Sequence, residues 1–506
     1  MSTLRNKIWT VTATDSSGGA GAFADIKVAH TLGCDCGVIV IALTAQNSLG
    51  VQAVQPITLN DIQAQWHALE QDGWPEVIRL GWLPAQVDIL EWLVAKLQEY
   101  SGIVIWDPVL SASQGSALSQ DWQEPTLKRL QIQLLQRADL ITPNIKEART
   151  LANLADSASA KDCAQSLASQ GARHLLVTGE QVDDGYIDDL FLFSHQSKAG
   201  QEELPGDSLA TMFTLRKPAL DAQAHGTGCH LAASVACLLA KKHSLYDAIT
   251  QAVGATTVAL KNASLGSKGV GNAWASHYVH AKTEDWPLVY AEPKLEGGFA
   301  SLDGPLGLYG LVDNLAHLQR LLELGINTLQ WRVKAPSAGY IKDTQQAIAL
   351  CNAANVPLFI NDDWKLAIKL NAYGVHLGQE DLALADLPAI QAAGLRLGIS
   401  THGDWELARA RALQPSYIAI GPIYKPLSKE LKYAPQGLKK LARFVSCFPD
   451  TQFTCIGGIT QENAHRVWAT GVQSIAIVTD LANDEGLEER IQKLRAISSE
   501  NTLEIL

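Results

Sequence analysis

Residues 8–21 read Ile8-Trp9-Thr10-Val11-Thr12-Ala13-Thr14-Asp15-Ser16-Ser17-Gly18-Gly19-Ala20-Gly21. A strand-like apolar run ends in a glycine cluster, and helical sequence follows. Strand, glycine turn and helix is how an α/β sheet begins. The alternation continues to about residue 275. Further strand-like runs are Val38–Leu43, Val77–Gly81, Ile103–Trp106, Leu140–Thr142 and His174–Val177, each ending in Gly, Asp, Thr or Asn. In open α/β sheets ligands sit beyond the carboxyl ends of the strands. The chemistry of this half is therefore expected in those clusters.

A second glycine cluster, His225-Gly226-Thr227-Gly228-Cys229, precedes the strongly helical Leu231–Lys241. Small residues let successive backbone N–H groups converge at a helix N-terminus, where the helix dipole favours an anion. A transferring phosphoryl group is such an anion. Cys229 at that helix start is expected to have a lowered pKa. Thr142-Pro143-Asn144-Ile145-Lys146-Glu147 offers an amide and a carboxylate suited to metal-bound water near phosphates. Trp106-Asp107-Pro108 places another carboxylate at a strand end. The GxxxxGK[ST] pattern is absent, which excludes a P-loop kinase. The acidic stretch Asp183–Asp189 reads as a solvated loop.

Residues 276–303 fit neither helix nor strand, since Trp286-Pro287, Glu292-Pro293 and Gly297-Gly298 interrupt them. They are expected to connect two domains and to pack on a surface. Eight short apolar runs follow: Leu308–Val312, Thr328–Val333, Pro357–Ile360, Gly374–Leu377, Arg396–Ile399, Tyr417–Ile420, Phe453–Ile456 and Ser474–Val478. Helical stretches separate them, such as Asn314–Glu323 and Trp405–Ala412. Eight strand–helix units predict a compact (β/α)₈ barrel; a doubly wound sheet is the alternative. Gln330, Arg332 and Lys334 recur with the strand period of two and share one face. Two cations and an amide on a core strand call for an anion. Asn361-Asp362 and Gly378-Gln379-Glu380-Asp381 follow later strands, and their carboxylates can converge on Mg²⁺. Gly457-Gly458 and Val478-Thr479 end the seventh and eighth runs, where barrels of this kind bind phosphate.

Composition frames these readings. The chain has 506 residues, which suggests two to four domains. Its net charge is 40 − 52 = −12, which argues against a nucleic-acid partner. The apolar stretches are too short to span a membrane. The polar start Met1–Lys7 predicts no signal peptide. Eight cysteines form no CxxC pair and sit mostly in apolar runs, as expected in a reducing cytoplasm.

Residues 7–275 resemble the hydroxymethylpyrimidine/phosphomethylpyrimidine kinase family. The resemblance rests on Thr14–Gly21 with Asp25, on Ala42-Leu43-Thr44-Ala45-Gln46-Asn47, Asp107-Pro108-Val109, Thr142-Pro143-Asn144 with Glu147, His225–Cys229 and Lys268-Gly269-Val270-Gly271. It implies a ribokinase-like α/β sandwich. It implies that Gln46 and Asp25, beside Gly19, hold the pyrimidine, and that Asp107, Asn144, Glu147 and Thr178 serve Mg–ATP. Gly226, Thr227, Gly228 and Cys229 would form the anion hole, with Cys229 the catalytic candidate. Val177-Thr178-Gly179-Glu180 departs from the family, whose members often carry a lysine where Thr178 stands.

Residues 304–495 resemble thiamine-phosphate synthase, through Gln330-Trp331-Arg332-Val333-Lys334, Ile360-Asn361-Asp362, Val375–Asp381, Leu397-Gly398-Ile399-Ser400, Gly421-Pro422-Ile423-Tyr424 and Ile456-Gly457-Gly458-Ile459. This implies a TIM barrel in which Gln330, Trp331, Arg332, Val333, Lys334, Asn361, Ser400 and Lys429 bind a pyrimidine diphosphate. Asp362 and Asp381 would hold Mg²⁺. Pro426, Leu427, Ser428, Gly458, Val478 and Thr479 would hold a thiazole phosphate. Lys425–Lys429 departs from the family's Pro-Thr-x-Thr-Lys, and Pro426 has lost a hydroxyl.

Together the two resemblances imply a cytoplasmic bifunctional enzyme of thiamine biosynthesis. It would use ATP as co-substrate and Mg²⁺ in both domains, with small-molecule substrates and no nucleic-acid or membrane partner; a homo-oligomer is compatible with this. The alternatives are a pyridoxal-type kinase in the first half and a precursor-binding module without turnover in the second.

Overall fold

A computed structural model of the chain describes residues 5–110, 122, 124–182, 185–194, 210–264, 266, 268–291, 294–334, 337–425, 433–482 and 485–503. The chain divides into two compact units, Met1–Glu292 and Pro293–Leu506.

The first unit is built on one ten-stranded sheet. Its order is Leu288–Ala291, Ala210–Pro218, Tyr186–Ser194, Leu175–Val182, Leu140–Ile141, Ile103–Trp106, Val77–Leu80, Lys7–Ala13, Asp35–Asn47 and Gly50–Pro56. The six strands from Leu175–Val182 to Asp35–Asn47 run parallel, and the outer pairings are antiparallel. Lys7–Ala13 has its sequence successor on one side and Val77–Leu80 on the other. The sheet therefore changes its direction of growth there, at a topological switch point. All of Val77–Leu80 is buried, as expected for a parallel strand covered on both faces. The helix Thr227–Ala240 is buried at every position from Cys229 to Ala240, so it is apolar all round.

Two expectations change here. The segment 276–303 carries structure of its own: two 3₁₀ turns at Tyr278–His280 and Thr283–Asp285, then Leu288–Ala291 as an edge strand of the sheet. Asp285 also accepts an ion pair from Lys261 at 2.5 Å. The acidic stretch is not a solvated loop where it is described, since Tyr186–Ser194 is a strand and Asp189 is fully buried against Lys217. A period-two pattern with acids on it reads as a loop until its cross-strand cations are known.

The second unit is a closed barrel of eight parallel strands: Gly307–Val312, Thr328–Trp331, Leu358–Asn361, Gly374–Leu377, Arg396–Thr401, Tyr417–Ile420, Phe453–Cys455 and Ser474–Ile477. Helices follow the strands, as the alternating sequence predicts. Tyr309, Phe359 and Tyr417 fill the interior with Leu306, Ala419 and Ala476. Phe359 and Tyr417 meet edge-on at 5.0 Å between ring centroids. The barrel is thus a packed core with its open end at the strand C-termini. All eight cysteines are free thiols. Among the described residues no helix is long and apolar enough to cross a membrane.

Candidate active sites

In the first unit the two glycine clusters meet at the switch point. The Asp15 carboxylate accepts hydrogen bonds from the N–H groups of Ser17, Gly19 and Ala20 and from Ser17 Oγ, which shapes the first loop. Gly226, the N-cap of the helix, has φ +80°, and a Cβ there would lie 1.8 Å from Gly19 O. Only glycine fits so close a backbone crossing. The helix N-terminus is open at Gly228, where a Cβ would find Asp107 Oδ1 at 3.9 Å. Its first N–H groups have no partner within the helix. Below them lies a guanidinium that no sequence motif singles out. Arg79 is fully buried; Nη1 donates to Asp25 Oδ2 at 2.9 Å and Nη2 to Asp107 Oδ2 at 2.5 Å. It also acts electrostatically on the nearby Cys229 thiol.

This placement corrects the expectation for Asp25. It is fully buried, and its Oδ2 is taken by Arg79 and by Thr10 Oγ1. Gln46 is half-exposed on Asp35–Asn47, with its backbone pinned by Ser16 Oγ. Asn144 and Glu147 form a capping box on Ile145–Ala152: Asn144 Oδ1 accepts from the N–H groups of Lys146 and Glu147, and Glu147 Oε2 accepts from Asn144 N at 2.9 Å. Thr178 bridges Asn144, with its N–H on Pro143 O at 2.9 Å. The structure therefore joins Asn144, Glu147 and Thr178 in one group, where the chain leaving Leu140–Ile141 bridges to the strand Leu175–Val182.

In the barrel, a cavity of about 310 Å³ opens at the strand C-termini. Gln330, Arg332, Asn361, Asp362, Asp381, Ser400 and Val478 line it, together with Tyr309 and His376. The strand ends at Trp331, so Arg332 enters the cavity from just beyond it, and Lys334 lies in the following turn outside the lining. Trp331 is corrected: it is buried on the opposite side, with Nε1 donating to Thr344 Oγ1 on Tyr340–Ala353 at 3.0 Å. Val333 is likewise not in the lining, as the alternation of faces requires. Gly458 sits in the turn after the seventh strand, its carbonyl taken by Asn463 Nδ2 at 2.9 Å; Thr479 opens a short 3₁₀ turn behind Val478. Pro426, Leu427, Ser428 and Lys429 lie outside the described residues.

Residues 15–274 match the phosphomethylpyrimidine kinase family, and residues 310–481 match thiamine monophosphate synthase. Over 201 residues the chain is 49% identical to a thiamine-phosphate synthase of Citrobacter koseri, covering 40% of this chain and 95% of that protein. It is 53% identical over 182 residues to the thiamine-phosphate synthase of Photorhabdus laumondii, covering 36% and 84%. The chain belongs to the phosphomethylpyrimidine kinases, and its barrel to the thiamine-phosphate synthases. Among solved structures, the pyridoxal kinase of Staphylococcus aureus in complex with pyridoxal is similar, with 23% identity, 57% of this chain and 98% of that chain covered, and a TM-score of 0.47. The chain is a bifunctional transferase of thiamine biosynthesis.

Electrostatics distinguish the two sites. In the kinase unit burial pushes the Cys229 thiol up to about 11, against the pull of Arg79. This runs opposite to the lowered value expected from the helix start, because the thiol is buried and Asp107 and Asp25 lie near it. Burial likewise raises Asp25 and Asp107, with Arg79 opposing. Glu147 is pushed up to about 8 by burial and then by Asp107. Asn144 and Glu147 hold each other and so offer no open carboxylate set to a resident metal. In the synthase unit, desolvation and then the neighbouring Asp381 carboxylate push Asp362 up to about 6. Asp362 also has φ +63°, an uncommon conformation for a non-glycine residue. Two carboxylates pressed together suit a hard cation, which would relieve their repulsion. These residues fit Mg²⁺.

A polar chain through the barrel links three motif residues, Gln330, His376 and Ser400, through two tyrosines that no motif contains. Gln330 Nε2 donates to Tyr309 OH at 3.3 Å; Tyr309 OH meets Tyr417 OH at 2.9 Å; Tyr417 OH meets His376 Nδ1 at 2.7 Å; and His376 Nε2 meets Ser400 Oγ at 2.8 Å. Burial, then Arg332, lowers His376 to about 4, so it is a neutral imidazole.

Proposed function

We propose that the kinase unit transfers the γ-phosphoryl group of Mg–ATP to 4-amino-5-hydroxymethyl-2-methylpyrimidine and then to its monophosphate. The synthase unit would then join the resulting diphosphate to 4-methyl-5-(2-phosphoethyl)thiazole, giving thiamine phosphate and diphosphate. One observation carries this reading: each unit gathers anion-handling groups at the carboxyl ends of its parallel strands. In the kinase unit these are the open N–H groups of Gly226–Cys229 beside Asp107. In the synthase unit they are Gln330, Arg332, Asn361 and Ser400 around Asp362 and Asp381.

In the kinase unit the helix N–H groups would stabilise the charge on the transferring phosphoryl group. Cys229, held as a neutral thiol, would meet it as a donor, and Asp107, beside the helix N-terminus, would receive the substrate's hydroxyl proton. Gln46 and the Asp15-ordered loop with Gly19 would hold the pyrimidine. Asn144, Glu147 and Thr178 would border the nucleotide. In the synthase unit Arg332 and Lys334 would hold the diphosphate, Gln330, Asn361 and Ser400 would orient the pyrimidine, and Gly458, Val478 and Thr479 would face the thiazole phosphate. Mg²⁺ held by Asp362 and Asp381 would supply charge stabilisation to the departing diphosphate. The protein's remaining contribution would be placement of two substrates in one cavity.

The test is a pair of assays on the full chain. Phosphorylation of hydroxymethylpyrimidine and of pyridoxal is compared by kcat/KM; a large preference for pyridoxal overturns the kinase assignment. Failure to release diphosphate from pyrimidine diphosphate and thiazole phosphate with Mg²⁺ overturns the synthase assignment.

A further inference from the structure

Arg79 is chemically out of place. It sits in a four-residue strand whose every position is buried, Val77-Ile78-Arg79-Leu80, at the centre of the sheet. A buried charge is costly unless something meets it. Here Nη1 meets Asp25 and Nη2 meets Asp107, and the charge also acts on the nearby Cys229 thiol. Of these partners, Asp107 and Cys229 flank the open helix N-terminus, whereas Asp25 is sealed below it. The fork thus ties two groups at the reacting face to one buried anchor. Gly81, two residues on and just past the strand, makes room for it: a Cβ there would fall 2.4 Å from Arg79 Nη1 and 2.3 Å from Thr12 Oγ1. A slot lacking one methyl group, filled by a guanidinium, is a built feature of the fold.

We propose that Arg79 is a positioning residue of the kinase reaction: anchored on Asp25, its guanidinium fixes the Asp107 carboxylate and the Cys229 thiol relative to the helix N-terminus. The inference rests on the kinase reading above. Arg79 does not reach substrate. It acts through Asp107 and Cys229, and its planar fork holds two carboxylates at once. Removing it should therefore weaken the transition state more than substrate binding, lowering kcat with KM little changed.

The experiment uses the full chain as wild type, Arg79→Met, Arg79→Lys and Gly81→Ala, with kcat and KM for hydroxymethylpyrimidine and for ATP. Synthase turnover by the same samples reports the amount of intact chain, and circular dichroism and a melting curve report the kinase fold. Arg79→Met should lose about 100-fold in kcat, with both KM values within about threefold. Arg79→Lys keeps the cation but loses the fork, and should stay at least about tenfold below wild type in kcat, which a role of charge alone would not give. Gly81→Ala keeps every charge but crowds Nη1, and should lose about tenfold in kcat. If Arg79→Met fails to fold, Gly81→Ala decides: a folded Gly81→Ala with wild-type kcat overturns the proposal. So does Arg79→Met with kcat near wild type, or Arg79→Lys with kcat near wild type. A wild-type chain that does not phosphorylate the pyrimidine overturns the kinase reading instead.

Discussion

Gly226→Ala would test how the two glycine loops build the anion site. Two costs arise. The backbone at φ +80° disfavours an L side chain by about 1–2 kcal/mol. The new Cβ would also stand 1.8 Å from Gly19 O, where real Cβ contacts essentially never fall under 3.0 Å, so the loops must separate by at least 3.0 − 1.8 = 1.2 Å. Neither side yields easily. Gly19 N and Ala20 N are held by Asp15 Oδ2 at 2.9 and 2.8 Å, and Gly226 starts a helix buried along its length. A misplacement of about 1 Å costs about 100-fold in rate. The predicted loss in kinase kcat/KM is therefore about 100-fold, with synthase turnover unchanged. ADP release with hydroxymethylpyrimidine measures the first, and diphosphate release the second. Gly33→Ala separates the two costs, since Gly33 has φ +71° but a Cβ added there would meet nothing within 4 Å. It should lower stability by about 1 kcal/mol and leave kinase turnover intact. A folded Gly226→Ala chain with kinase kcat/KM within about threefold of wild type would refute the reasoning.

Two further predictions concern stability. Trp331→Phe removes the Nε1 donor to Thr344 and should destabilise the barrel by about 1 kcal/mol while leaving the synthase KM unchanged, because the ring faces the helix and not the cavity; a raised KM for pyrimidine diphosphate would contradict that placement. His230 is lowered from 6.5 to about 4, first by burial, with Ser276 N on its Nε2. It stays neutral in the folded chain and takes up a proton on unfolding, so stability is intact above pH 6.5 and falls as pH drops toward 4. At pH 5 the loss is about 2 kcal/mol, readable as a lower melting temperature that His230→Gln should flatten; an unchanged pH slope in that variant would count against it.

Much of the architecture was legible because both units repeat a local signal. Each apolar run of the barrel appears as a strand in sequence order, and the kinase sheet follows runs that end in Gly, Asp, Thr or Asn. The antiparallel strands Gly50–Pro56, Tyr186–Ser194 and Ala210–Pro218 were not, since their mixed polar patterns gain sense only from their neighbours. The same limit applies to the sites. Gln330, Arg332, Asp362 and Asp381 lie at or shortly after the ends of strands, a position the alternating pattern makes visible, and they line one cavity. Arg79 was hidden because one arginine in an apolar run looks like a surface position until Asp25 and Asp107, distant in sequence, arrive beside it. Tyr309 and Tyr417 looked like ordinary core aromatics; only barrel closure joins their hydroxyls to His376. The Cys229 pKa went the other way from expectation because burial cannot be read from a motif.

Two sites on one chain are expected to perform consecutive reactions. The direct measurement supplies the full chain with hydroxymethylpyrimidine, ATP, Mg²⁺ and thiazole phosphate, and reads thiamine phosphate. Wild type should form it, and Cys229→Ala and Asp362→Ala should each abolish it. Added pyrimidine diphosphate should restore product with Cys229→Ala and not with Asp362→Ala. Restoration of both, or of neither, would contradict the division of labour.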